Sequence, residues 1–205
     1  MLKAQGLACV RGDRLLFKDL SFAIDAGSLL YVLGENGSGK SSLLRMLCGL
    51  LLPEQGEVLW ADKPIKANAE QYLANLKYLG HLNGLKDDLS ALENLQMGAR
   101  LSGQEVTEAS ALAALNAIGI ARCAHLPARV LSQGQKRRVA LAALWLSASP
   151  LWILDEPFAA LDVQATEVLA ARIGEHLAGG GMAIITSHQD VPIKAKSTFT
   201  VSLSA

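Results

Sequence analysis

The chain has 205 residues, 51% of them hydrophobic and 19% charged, with 19 basic against 19 acidic side chains. That length holds one full core, or a core with a small subdomain, and the composition excludes a disordered chain. The balanced charge provides no field to gather nucleic acid or an anionic membrane surface, so partners must be recognised at specific sites.

Residues 5–10 and 15–24 read as two strands turning at Gly12-Asp13, the start of an antiparallel sheet. An apolar run at 29–33 reads as a strand, and Gly34, Glu35, Asn36, Gly37, Ser38, Gly39, Lys40 and Ser41 follow it with phosphate-loop spacing. Leu43, Leu44, Leu47 and Leu50 then give a helix over about 40–51. In a strand-loop-helix context the glycines let backbone N–H groups converge on phosphate oxygens at the positive end of the helix dipole. Lys40 would reach the terminal phosphates and Ser41 would hold Mg²⁺, with Ser42 in the same nucleotide-binding run. The plainer alternative is a Gly-Ser-rich turn.

Short strands are expected at 57–60 and 76–79, and helical stretches at 91–101 and 107–118 inside a segment, 81–130, that has the character of a helical insertion. Leu131, Ser132, Gln133, Gly134 and Gln135 open a long helix; Ser132 and Gln135 have capping-box spacing, and the helix start offers a second anion site or a plain cap. Residues 151–154 form an apolar strand that ends in Asp155 and Glu156. Asp155 could stand beside Mg²⁺ and Glu156 could polarise a water, or the strand could simply acquire acids where it meets solvent. A helix at about 163–177, a buried strand at 182–186, His188 after it, and a strand at 199–203 complete the chain. The histidine could bond a γ-phosphate or be a surface residue.

Cys9, Cys48 and Cys123 make no metal pattern and read as small apolar side chains in a reducing compartment. No signal peptide is visible. The longest apolar run, 139–154, is broken by Ser147, Ser149 and Pro150 and is shorter than the roughly 20 residues of a membrane span. The chain reads as cytoplasmic, with membrane contact only through partners.

Taken in order, these motifs resemble the nucleotide-binding domain of ATP-binding cassette (ABC) proteins over the whole chain. The resemblance implies an α/β P-loop NTPase core with an N-terminal antiparallel β-subdomain (1–80 and 131–205) and a helical subdomain (81–130). It makes residues 34–41 the Walker A loop, Asp155 the Walker B aspartate that shares Mg²⁺ with Ser41, Glu156 the catalytic glutamate and His188 the switch histidine. Residues 131–135 become the signature sequence, with Gln133 in place of the usual glycine, and Asp162 belongs to the D-loop. It further implies a homodimer in which two chains sandwich ATP, each signature acting in trans, and integral membrane permease subunits as partners. Two positions depart from the family: Arg11 stands where an adenine-stacking aromatic is common, and His81 where the Q-loop glutamine belongs.

The runs at 78–81, 92–95 and 137–158 are similar to the branch that exports haem for bacterial cytochrome c maturation. That branch implies a peripheral place on the cytoplasmic side of the inner membrane, with no nucleic acid bound and no direct haem ligation. Another small exporter for lipid, drug or peptide, or a soluble non-transport cassette, is the alternative. The leucines of 82–95 are either a docking surface for the permease or helical core, and Trp145 and Trp152 read as core packing.

Overall fold

The computed structural model describes residues 1–189 and 191–203. Strands β1 (Leu2–Arg11) and β2 (Arg14–Ile24) pair antiparallel around the Gly12-Asp13 turn, and β4 (Gln55–Trp60) and the two-residue β5 (Lys63–Pro64) extend that sheet in the order β2-β1-β4-β5. A second sheet is wholly parallel. Its order is β6-β7-β8-β3-β9, built from β3 (Ser28–Gly34), β6 (Leu76–Leu79), β7 (Leu151–Asp155), β8 (Met182–Thr186) and β9 (Ser197–Leu203).

The apolar runs of the central strands are continuous because both faces of the parallel sheet are covered. Successive side chains point to opposite faces and enter two different cores. Leu30, Val32, Leu151, Ile153 and Ile184 pack with the antiparallel sheet and with α1 (Lys40–Leu47). Leu29, Trp152, Leu154, Ala183 and Ile185 pack beneath α3 (Ala91–Leu101), α4 (Glu108–Ala117), α5 (Gln133–Leu146) and α6 (Val163–Ala178). A one-residue slip in any central strand would exchange these two sets.

Helix α1 ends at Leu47, four residues short of the sequence expectation. Gly49 takes φ 73°, its N–H donates to Met46 O, and Leu50 N donates to Arg45 O, so a left-handed glycine closes the helix before Leu50 and Leu51. A short helix that the sequence did not announce, α2 (Ala69–Ala74), buries only Tyr72, whose hydroxyl donates to the C-terminal carbonyl of Leu47 at 2.6 Å. The remaining helices keep their expected starts. Ser90 and Thr107 accept from the N–H three residues on, and Ser132 forms the reciprocal capping box with Gln135.

The leucines of 82–95 divide. Leu92 and Leu95 are 6% and 4% exposed and belong to the core, the second of the two expected alternatives; Leu82, 84% exposed, does not. The loop before α3 is held by buried Asn94, which accepts from Lys86 N and donates to the carbonyls of Lys86, Leu89 and Ser90. Asp87 and Asp88 pair with Lys136 and Arg129. Trp152 is fully buried and Trp145 packs against the same cluster, as expected for packing residues. Cys9 and Cys48 are buried, and burial pushes both thiols up; Cys123 is half-buried.

Candidate nucleotide site

Strands β7, β8 and β3 lie side by side, and their carboxyl ends open into one cleft. The paired register sets Asp155 opposite Thr186 and Val32 opposite the same Thr186, so the phosphate loop after β3 and the acids after β7 flank a common strand. Open parallel sheets bind ligands at this edge. The cleft has a volume of about 600 Å³ and is lined by Asn36, Gly37, Gly39, Lys40, Ser41, Ser42, His81, Asp155, Glu156 and His188, together with Arg11, Leu16 and Ala159. That volume lies within the range of small-molecule sites. A larger groove of about 1260 Å³ runs along α6, but it is mainly apolar and carries none of the phosphate-loop residues.

The loop cannot be built without glycine at two points. At Gly34 (φ 148°) a Cβ would stand 2.6 Å from Leu203 O, and at Gly39 (φ 105°) a Cβ would press on Leu16 and Phe17. Gly39 precedes α1 without any side-chain cap, which leaves the first-turn N–H groups for an anion. Lys40 is buried along its length, and its amine donates to Gly34 O at 2.7 Å and Glu35 O at 3.1 Å. Ser38 Oγ, buried under the loop, has no hydrogen-bond partner among the described residues.

The acids are held by a relay. Ser41 Oγ donates to Asp155 Oδ2 at 2.9 Å, Thr186 Oγ1 donates to Asp155 Oδ1 at 2.7 Å, and the Glu156 N–H donates to Thr186 Oγ1 at 2.8 Å. Asp155 is 3% exposed, and charge-assisted bonds of this kind offset its burial. Glu156 adopts φ 49°, unfavourable for a residue with a Cβ, which turns its side chain away from Asp155 and into the cleft. Its Oε1 is buried, accepts no hydrogen bond among the described residues, and lies 3.4 Å from His188 Nε2. A carboxylate oxygen with a free acceptor site facing a phosphate loop can take a proton from water. Ser41 and Asp155 offer oxygen donors side by side, the set that suits Mg²⁺.

The segment 131–135 stands apart, since none of its residues lines the cleft. Leu131 is buried, while Ser132 and Gln133 are exposed and Gly134 and Gln135 half-exposed at the start of α5. Gly134 sits close under the Ala160 carbonyl, where an added Cβ would approach to 3.2 Å. Asp162 caps α6 by accepting from Ala165 N at 2.9 Å and pairs with Arg138, so this acid is engaged on its own chain; its backbone bond to Ala165 holds its carboxyl below the usual range.

The Walker motifs, their order and this sheet edge are the features of one family, and the whole-chain comparison agrees. Residues 17–159 match the family model described as ABC transporter. The chain belongs to the ABC transporter family. A Dechloromonas aromatica protein named cytochrome c biogenesis ATP-binding export protein CcmA is 53% identical, the match covering 95% of this chain and 96% of that one. A protein of the same name from Nitrosomonas europaea is 51% identical across 98% and 93% of the two chains. Among solved structures, an ABC transporter ATP-binding protein from Pyrococcus furiosus superposes with a TM-score of 0.84 at 25% identity, covering 98% and 96%. The dimeric cassette MJ0796 bound to ADP and Pi shares the fold at TM-score 0.81 and 22% identity, covering 92% of this chain and 88% of that one. The chain is accordingly an α/β ABC ATPase that binds ATP.

Two residues of this site carried no signal in the sequence. Thr186 is the last residue of an apolar strand, and Arg137 sits in a basic stretch of α5. Both act on backbone or side-chain atoms 18 to 57 positions away.

Proposed function

We propose that this chain is the ATP-hydrolysing subunit of the haem exporter of cytochrome c biogenesis, working on membrane permease subunits from the cytoplasmic face of a bacterial inner membrane. The names borne by relatives about half identical over nearly their whole length support the process, and the cleft supports the chemistry. In this reading the N–H groups of residues 34–42 and the Lys40 amine bind the phosphates. Ser41 and Asp155 would hold Mg²⁺, which neutralises charge on the phosphates when bound. Glu156 takes a proton from the attacking water as its oxygen bonds to the γ-phosphorus and the bond to ADP breaks, and His188 contacts the γ-phosphoryl oxygens. His81 and Arg11 both line the cleft; His81 would fill the Q-loop position and offer a ring nitrogen, and Arg11 would stack on the base.

The observation that carries the reading is the Glu156 Oε1 beside His188, buried and without a hydrogen bond among the described residues, facing the same cleft as Lys40 and Ser41. The exposed Ser132 and half-exposed Gly134 are the natural complement: in a head-to-tail homodimer Leu131 to Gln135 of one chain would close over the ATP held by its partner, with Asp162 at the seam. The segment 81–130 is then the helical subdomain that passes movement to the permease. Recovery of the chain from solubilised membranes together with the membrane subunits of cytochrome c biogenesis is the expected result. Recovery with a lipid or drug permease instead would overturn the haem assignment and leave the ATPase reading intact.

A further inference from the structure

Arg137 is 5% exposed, and among the described residues its guanidinium pairs with no carboxylate. Nη2 donates to two successive backbone carbonyls, Asp155 O at 2.7 Å and Glu156 O at 2.8 Å. Nη1 donates to Gly80 O at 2.9 Å and approaches Asn83 Oδ1 at 3.4 Å. One side chain therefore joins three segments: the second turn of α5 behind Ser132, the acidic end of β7, and the loop that presents His81 to the cleft.

The two carbonyls, the last of β7 and the one that follows it, flank the residue with the least favourable backbone of the site. Glu156 at φ 49° has its N–H fixed by Thr186 Oγ1, and its own carbonyl together with the preceding one is fixed by Arg137. Peptide planes anchored on both sides leave the Glu156 side chain a narrow range of directions. A planar fork with several donors can hold two carbonyls and reach a third, at a second strand end, at once; an ammonium on a flexible stem cannot reproduce that geometry. A cation buried only as packing would leave its desolvation uncompensated; here the bonds to three carbonyls offset it.

We propose that Arg137 is a positioning residue for ATP hydrolysis: by clamping the carbonyls of Asp155 and Glu156 it aims the Glu156 carboxylate at the attacking water, and by also holding Gly80 it ties that aim to the loop of His81 and to the helix behind the signature. The inference rests on Glu156 being the base. Because Arg137 does not line the cleft and its hydrogen bonds go to Gly80, Asn83, Asp155 and Glu156, its effect belongs in kcat and leaves ATP binding alone.

The test is steady-state ATP turnover of the full chain, with ATP affinity and thermal unfolding measured in parallel, for Arg137→Met, Arg137→Lys, Glu156→Gln and the double variant Arg137→Lys/Glu156→Gln. Both Arg137 variants are expected to bind ATP as the parent does while kcat falls by about 100-fold, the loss that a misplacement of about 1 Å brings. In the Glu156→Gln background Arg137→Lys is expected to bring no further loss, since the group it aims is gone. Turnover within about threefold of the parent, a fall in ATP affinity matching the fall in turnover, or a full multiplicative loss in the Glu156→Gln background would each overturn the proposal. Failure of both Arg137 variants to fold would do the same, by assigning the residue to the fold. Undiminished turnover in Glu156→Gln alone would instead remove the base reading, a separate result.

Discussion

Lys40 and His176 show how single side chains divide between site and scaffold. Lys40 spends two of its three N–H donors on the carbonyls of its own loop, so the loop and the amine form one preset cradle. Charge-assisted bonds contribute about 1.5–3 kcal/mol, and Lys40→Ala is expected to weaken ATP binding by about 10- to 100-fold in a fluorescent-nucleotide titration. Unchanged affinity would contradict the cradle. His176 is stacked on Trp152 with ring centroids 3.8 Å apart, and Nε2 faces Met182 O at 3.2 Å. Burial, and secondarily the Arg172 guanidinium, push its pKa below the ordinary 6.5. The folded chain thus holds it neutral while the unfolded chain protonates first. Stability contributed by the neutral ring is complete above pH 6.5 and declines as pH falls through 6.5 toward the lower folded value. Melting curves between pH 7.5 and 5.5 should show a falling midpoint, with a shallower slope in His176→Phe. At this scale the sequence revealed Lys40, Ser41, Asp155 and Glu156, because a phosphate loop and a strand ending in acids are local patterns. It did not reveal Thr186 or Arg137, whose work is done through hydrogen bonds to distant segments that no spacing encodes.

Among elements, α5 has the most to do. Its first turn carries the Ser132–Gln135 capping box, its second carries Arg137 and Arg138 toward the site and Asp162, and its apolar face fills the core under α3 and α4. Ser132→Ala removes the cap, at about 1 kcal/mol, which in a chain of this size lowers the melting midpoint by about 2–4 °C. If Ser132 also serves ATP across a dimer, turnover will fall at least tenfold at a temperature where the variant is fully folded. A fall no larger than the lost folded fraction would leave Ser132 a cap alone. Elements with apolar periodicity and capping residues were legible in the sequence, and so were the continuous apolar strands. Helix α2 was not, because it buries only Tyr72; the end of α1 was misjudged because Leu50 and Leu51 prolong the apolar pattern past Gly49, where the backbone turns left-handed. The leucines of 82–95 show the same limit, since periodicity alone does not say whether the buried face meets the chain's own core or another protein.

For the whole molecule, the parallel sheet has one edge where β3, β7 and β8 end together, and the chemistry is gathered there while residues 131–135 lie outside the cleft, with Ser132 and Gln133 exposed. The order of motifs along the sequence was enough to expect both halves, but the distance between them follows only from the fold. On the proposed function, a chain with a phosphate cradle in one place and the 131–135 segment in another is half of a closed machine, and the property to test is ATP-dependent pairing. The direct measurement is the mass of the Glu156→Gln chain in solution by sedimentation velocity, with and without Mg²⁺ and ATP. The expected result is a monomer without nucleotide, a dimer with ATP, and loss of that dimer when Ser132→Arg is added. A chain that stays monomeric at saturating ATP, or pairs equally well with Ser132→Arg present, would contradict it.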